Sequence, residues 1–147
     1  MRLAADQFKC FKHIPGTIVN PKNFNPLNLQ DAPLKTDEYG SFFIAEHHSY
    51  SLAYVYEHLV IPSDITVLFI GKSTYARCGI IINTTPGEAG WEGHLTLEIS
   101  NSSDADVHIY AMEGICQALF FRGKPCLNTY GAGKYQGQKA GVTLARV

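Results

Sequence analysis

The clearest pattern in the chain lies at residues 94–100, where His94, Thr96, Glu98 and Ser100 alternate strictly with Leu95, Leu97 and Ile99. Successive side chains of a strand point to opposite faces, so this run predicts a β-strand with the three aliphatic residues in the core and Glu98 on the polar face. Short runs rich in β-branched and aromatic residues recur at 41–45, 52–60, 66–70, 79–82, 107–112 and 116–121, and each predicts a further strand. Turn chemistry separates them at Pro15-Gly16, Asn25-Pro26, Gly40, Pro62-Ser63-Asp64, Pro86-Gly87, Asn101-Ser102-Ser103 and Gly123-Lys124-Pro125. No window of 11 or more residues holds a clean helical period, and a short helical turn near 73–77 is all the helix expected. The pattern predicts an all-β fold, a Greek-key or jelly-roll barrel.

Length makes this one domain, since 147 residues fit a single compact core. Twelve Lys+Arg against 13 Asp+Glu give a net charge of −1, which lacks the basic excess of a general nucleic-acid binder. Eight Tyr, eight Phe and one Trp are too many large apolar side chains for a disordered chain. No apolar run reaches the roughly 20 residues a membrane-spanning helix needs, and Asp6 interrupts the N-terminus too early for a secretory signal. The expected location is the cytoplasm. Cys10, Cys78, Cys116 and Cys126 stand singly and are expected as free thiols under reducing conditions.

Two polar segments carry candidate chemistry. Gly71-Lys72-Ser73-Thr74-Tyr75-Ala76-Arg77-Cys78-Gly79 places two cations and two hydroxyls in a Gly-opened turn, donors suited to phosphate oxygens. It is no P-loop, because Thr66 stands where the first glycine is required. By composition alone it is equally a solvated turn. Gly131–Gln138 is glycine-rich and polar, as fits either a frayed tail or a lid closing over a ligand. The six histidines show no metal-ligand spacing, and Pro125-Cys126 has Thr129 where a zinc deaminase needs its second cysteine. No structural metal or zinc is expected.

In order along the chain, Gly71–Gly79, Gly90-Trp91-Glu92-Gly93-His94-Leu95-Thr96-Leu97-Glu98-Ile99-Ser100-Asn101, Glu113-Gly114-Ile115-Cys116-Gln117 and Gly133-Lys134-Tyr135-Gln136-Gly137-Gln138 resemble the motifs of the dCTP deaminases. These belong to the trimeric dUTPase-like superfamily. The resemblance implies a distorted jelly-roll β-barrel, a homotrimer, and zinc-independent hydrolysis of dCTP to dUTP and ammonia, with Mg²⁺ carried by the triphosphate at sites shared between subunits. By the same resemblance Glu98 is the catalytic proton shuttle, with Ser73 and Arg77 orienting water, glutamate and phosphates. Lys72, Thr74, Tyr75 and Ala76 complete that loop; Thr96 and Leu97 line base and sugar; Gln117, Tyr130, Lys134 and Gln138 close over the triphosphate. Residues from about 130 to 147 form the mobile lid of the single domain. Glu88, upstream of Trp91, lies where the superfamily places its hydrolytic acid, and both join the expected binding set.

Glu98 argues for deamination, because simple trimeric dUTPases carry an apolar residue there. Two other readings stay open: a bifunctional enzyme that continues to dUMP and pyrophosphate, and a catalytically silent nucleotide-binding regulator. Inhibition by dTTP is a further open point. The chain departs from the family in starting inside the resembling first strand, in a short Thr84–Gly90 loop, and in the short Gly131-Ala132-Gly133 link before Lys134.

Overall fold

The computed structural model describes residues 1–83 and 85–146. Thr84, which opens the short loop, and Val147, the end of the expected lid, lie outside the described residues. The strands are β1 (Leu3–Phe11), β2 (Leu29–Asp31), β3 (Lys35–Asp37), β4 (Gly40–Ala45), β5 (Tyr50–Val60), β6 (Ile65–Gly71), β7 (Ile80–Ile82), β8 (Thr85–Gly87), β9 (Glu92–Asn101), β10 (Val107–Tyr110) and β11 (Cys116–Arg122). One turn of helix, α1 (Ser73–Ala76), joins β6 to β7. Among the described residues no helix is long and apolar enough to cross a membrane.

The strands form a five-stranded sheet ordered β2-β1-β5-β9-β7 and two three-stranded sheets, β10-β4-β3 and β11-β6-β8. Their pairings are antiparallel. The alternation at 94–100 is realised: Leu95, Leu97 and Ile99 are buried in the core, while Glu98 is half-buried on the other face. Sheet meets sheet through aromatic contact, since Phe8 of β1 stacks on Phe43 of β4 with centroids 5.0 Å apart and both rings are fully buried. Phe43→Ala is expected to cost about 3–5 kcal/mol, the usual range for emptying a buried aromatic site. Urea unfolding should show that loss as a lower midpoint at unchanged slope.

Buried Asn101 ties β9 to the turn that follows it. Its Nδ2 donates to the carbonyls of Ala45 and Ala105 at 3.0 and 2.8 Å, and its Oδ1 accepts from Ser103 N and Oγ at 3.0 and 2.8 Å. All the hydrogen-bonding capacity of that amide is thus used, as burial requires.

Two expectations need correction. Pro86-Gly87 is not a turn but the centre of β8, with Pro86 opposite Leu68 of β6. β8 is an edge strand, where a missing N–H need not break a ladder. The run at 107–112 ends as a strand at Tyr110, because Met112 adopts a left-handed φ of 59° and turns the chain.

Candidate active site

Glu98 lies in the middle of β9, opposite Leu52 of β5, and Thr96 lies opposite Tyr54. On the other side of β9 the chain leaving β7 continues the ladder, with Asn83 N–H donating to Glu98 O at 2.9 Å. Period two sends the Glu98 and Thr96 side chains to one face. That face is the floor of a cavity of about 470 Å³.

Aromatic residues wall the cavity beside the carboxylate. Phe11, at the end of β1, lies 6.2 Å from Phe24 and 6.2 Å from Tyr50, the latter edge to face. Glu88 and Trp91 line the cavity after β8, and Tyr130, Tyr135 and Gln138 line it from the C-terminal segment. Burial raises the Glu98 pKa above its ordinary value, and the Asn83 side-chain amide, donating to Glu98 Oε2 at 3.4 Å, partly opposes that shift. Tyr50 is raised as well, by burial and then by the Glu98 charge. A carboxyl group so placed exchanges protons more readily near neutral pH than an exposed one.

The C-terminal segment is hydrogen-bonded across this cavity. Trp91 Nε1 donates to Tyr135 O at 2.8 Å, Gln136 Nε2 to Gly90 O at 3.0 Å, and His94 N to Gln138 O at 2.9 Å. The crossing at β9 requires Gly93. Its φ is +145°, and a Cβ there would sit 2.7 Å from Gln138 N. Farther on, Val142 N donates to Gln7 Oε1 at 2.8 Å and Thr143 N to Thr96 Oγ1 at 3.0 Å. Gln138 is buried, and its Oε1 has no hydrogen-bond partner among the described residues. A buried acceptor left open beside a cavity calls for a donor from whatever fills it.

Six of the residues singled out in the sequence line one cavity: Glu88, Trp91, Thr96, Glu98, Tyr130 and Gln138. Lys72, Ser73, Thr74, Tyr75, Ala76, Arg77, Leu97, Gln117 and Lys134 do not line it. Leu97 is turned into the core. Tyr75 is buried, and its hydroxyl accepts from Tyr110 N at 3.0 Å. The exposed Ser73, Thr74 and Arg77 belong to the turn anchored at the far end of β9, where Ser102 N donates to Gly79 O at 2.9 Å. Ser102 is four strand positions past Glu98, about 13 Å along an extended chain. Gln117 lies exposed on β11. The sequence reading missed Phe11, Phe24, Tyr50, Leu52, Tyr135 and Thr143–Ala145, all of which line the cavity.

A family model described as dCTP deaminase-like matches residues 5–123. The chain belongs to the dCTP deaminase family. The dCTP deaminase of Campylobacter hominis is 47% identical over 146 residues, covering 97% of this chain and 73% of the relative. That of Granulibacter bethesdensis is 46% identical, covering 97% and 76%. The fold is also that of a 2'-deoxycytidine 5'-triphosphate deaminase crystal structure from Agrobacterium tumefaciens, at a TM-score of 0.60 and 17% identity over 84% of this chain and 37% of that one. In this dCTP deaminase family member the matched span holds Glu88, Trp91 and Glu98, whereas Tyr130–Gln138 fall under the pairwise similarity alone.

Proposed function

We propose that this chain hydrolyses the 4-amino group of dCTP, giving dUTP and ammonia, with Glu98 as the proton shuttle. The observation that carries this reading is the Glu98 carboxylate on the floor of an aromatic-walled cavity, its pKa raised by burial. Glu98 takes a proton from water as the oxygen bonds to C4 of cytosine, and passes that proton to N3. It then moves the second proton of the water to the 4-amino nitrogen, the C4–N bond breaks, and ammonia leaves as the C4 carbonyl forms. Gln138 Oε1, buried and unpaired among the described residues, supplies an acceptor for the bound nucleotide, and the C-terminal segment excludes bulk water.

Phosphate binding is assigned to Lys72, Ser73, Thr74 and Arg77, with Gln117 and Lys134. In a single chain these stand outside the cavity, so the reading includes a homotrimer in which the 72–77 turn of one subunit completes the cavity of another. The exposed apolar residues Leu119, Phe120 and Phe121 on the edge strand β11 support an assembly that covers them. Mg²⁺ would arrive on the triphosphate oxygens, neutralising charge there. The four unpaired cysteines favour the cytoplasm.

The deciding experiment is incubation of purified protein with dCTP and Mg²⁺, with products separated by anion exchange. Accumulating dUTP and ammonia is the expected result. Glu88 on the cavity rim favours one second reading, hydrolysis onward to dUMP and pyrophosphate, and the same chromatogram reads it. Untouched dCTP with measurable nucleotide binding overturns the enzymatic reading in favour of a regulator, and adding dTTP to the same assay tests inhibition.

A further inference from the structure

Glu98 has one hydrogen-bond donor to its carboxylate among the described residues, and it comes from a neighbouring strand end. Asn83 follows β7, its backbone N–H fixed on Glu98 O at 2.9 Å. From that anchored position its Nδ2 reaches Glu98 Oε2 at 3.4 Å. The contact is long, and catalytic hydrogen bonds of such length commonly tighten when substrate binds. We propose that Asn83 is a positioning residue that holds Glu98 Oε2 and leaves Oε1 free to face the reacting water and base. This rests on the reading of Glu98 as proton shuttle.

The chemistry of the amide suits a carboxyl group that changes protonation state within one turnover. Nδ2–H donates to the carboxylate, and after a half-turn of the amide Oδ1 accepts from the carboxylic acid. An Asp at this position could serve only the protonated form, and a Lys only the ionised one. The other titratable groups facing the cavity do not replace it. Tyr50 of β5, Glu88 after β8, and Tyr130 and Tyr135 of the C-terminal segment line the cavity, and among the described residues none of them donates a hydrogen bond to the Glu98 carboxylate. Lys9 of β1, opposite Leu52, is engaged by Asp31 at 2.6 Å. Asn83 is thus the group on hand that stabilises the ionised form directly.

The test compares Asn83→Leu, which is close in size but has no donor, with Asn83→His, whose Nδ1 stands the same number of bonds from the backbone. Asn83 is exposed, so both variants should fold, and thermal unfolding checks that they do. Asn83→Leu is expected to lower kcat about tenfold, the scale of a lost hydrogen bond to a charged group, with KM nearly unchanged. The acidic limb of its kcat–pH profile should move to higher pH, because the carboxylate has lost its donor. Asn83→His should restore most of the rate and return the limb towards its original position. Unchanged kcat, a loss confined to KM, a stationary limb, or a histidine variant no better than leucine would each overturn the proposal. Titration of the Glu98 carboxyl by carbon NMR in the unliganded protein needs no turnover. An upward shift in Asn83→Leu supports the tether, and none overturns it, even if wild-type protein releases no ammonia and the deaminase reading itself fails.

Discussion

Glu98→Gln is expected to lower ammonia release from dCTP by about 10²–10⁴-fold, the range usually contributed by a positioned general acid–base. Glutamine keeps the volume and one acceptor oxygen but cannot carry the proton from water to N3 and then to the leaving nitrogen. Binding should survive, because the floor around position 98 is made by Leu52, Leu95 and Thr96 as well, and because burying a neutral amide costs less than burying a charge. Calorimetric titration with dCTP should therefore show retained affinity in a protein that no longer turns over. The pH dependence of the unsubstituted protein follows the same logic. Only the ionised carboxylate accepts the proton of the water, and burial holds the Glu98 pKa above its ordinary value. Activity should fall as pH drops through that raised value, with the acidic limb above the usual carboxylate range. Loss of dCTP binding in Glu98→Gln, or activity unchanged by it, would remove Glu98 from the role of shuttle.

The strand carrying Glu98 was legible because its alternation has one face in the core. Leu95, Leu97 and Ile99 fix the period, and the period fixes the face of Glu98. The wall around it was not legible, for a reason of register. Phe11, Phe24 and Tyr50 are separated by 39 positions from first to last, and they meet because β1 pairs with β5, which pairs with β9. No single-strand pattern encodes that pairing. The amphipathic run of β1, with Leu3, Phe8 and Cys10 buried, was visible only through the family resemblance, because the register shift between Leu3 and Phe8 breaks the strict alternation that a pattern reading needs. β8 was hidden behind Pro86-Gly87, whose turn chemistry is overridden by pairing at a sheet edge. Among the site residues that the cavity gathers, Trp91, Thr96, Glu98 and Gln138 lay within motifs, whereas Thr143–Ala145 lay beyond the last of them. Those it leaves outside, Ser73 and Arg77 above all, are where one chain stops being the unit of function in the proposed reading.

That reading makes a sharp demand on subunit mixing. Arg77→Ala and Glu98→Gln should each be nearly inactive, the first because the phosphates lose a guanidinium that grips two oxygens at once, the second because the shuttle is gone. In a homotrimer with shared sites, a working site needs Glu98 from one subunit and Arg77 from its neighbour. Each inactive variant still carries the half the other lacks. Unfolding the two together in equal amounts and refolding them should return about a quarter of wild-type activity, since each site draws its two halves independently in a randomly mixed ring. Co-expression with two affinity tags provides the same hybrids without refolding. Mixing the folded proteins without subunit exchange should return nothing, which separates reassembly from any trace of wild-type contaminant. If the hybrids stay inactive while sizing shows a trimer, Arg77 and Glu98 must act within one chain. The 72–77 turn would then have to travel about 13 Å along β9, against the hydrogen bond that holds Gly79 to Ser102. A quarter of the activity recovered would instead explain why a turn so well equipped for phosphate stands outside the cavity of its own chain.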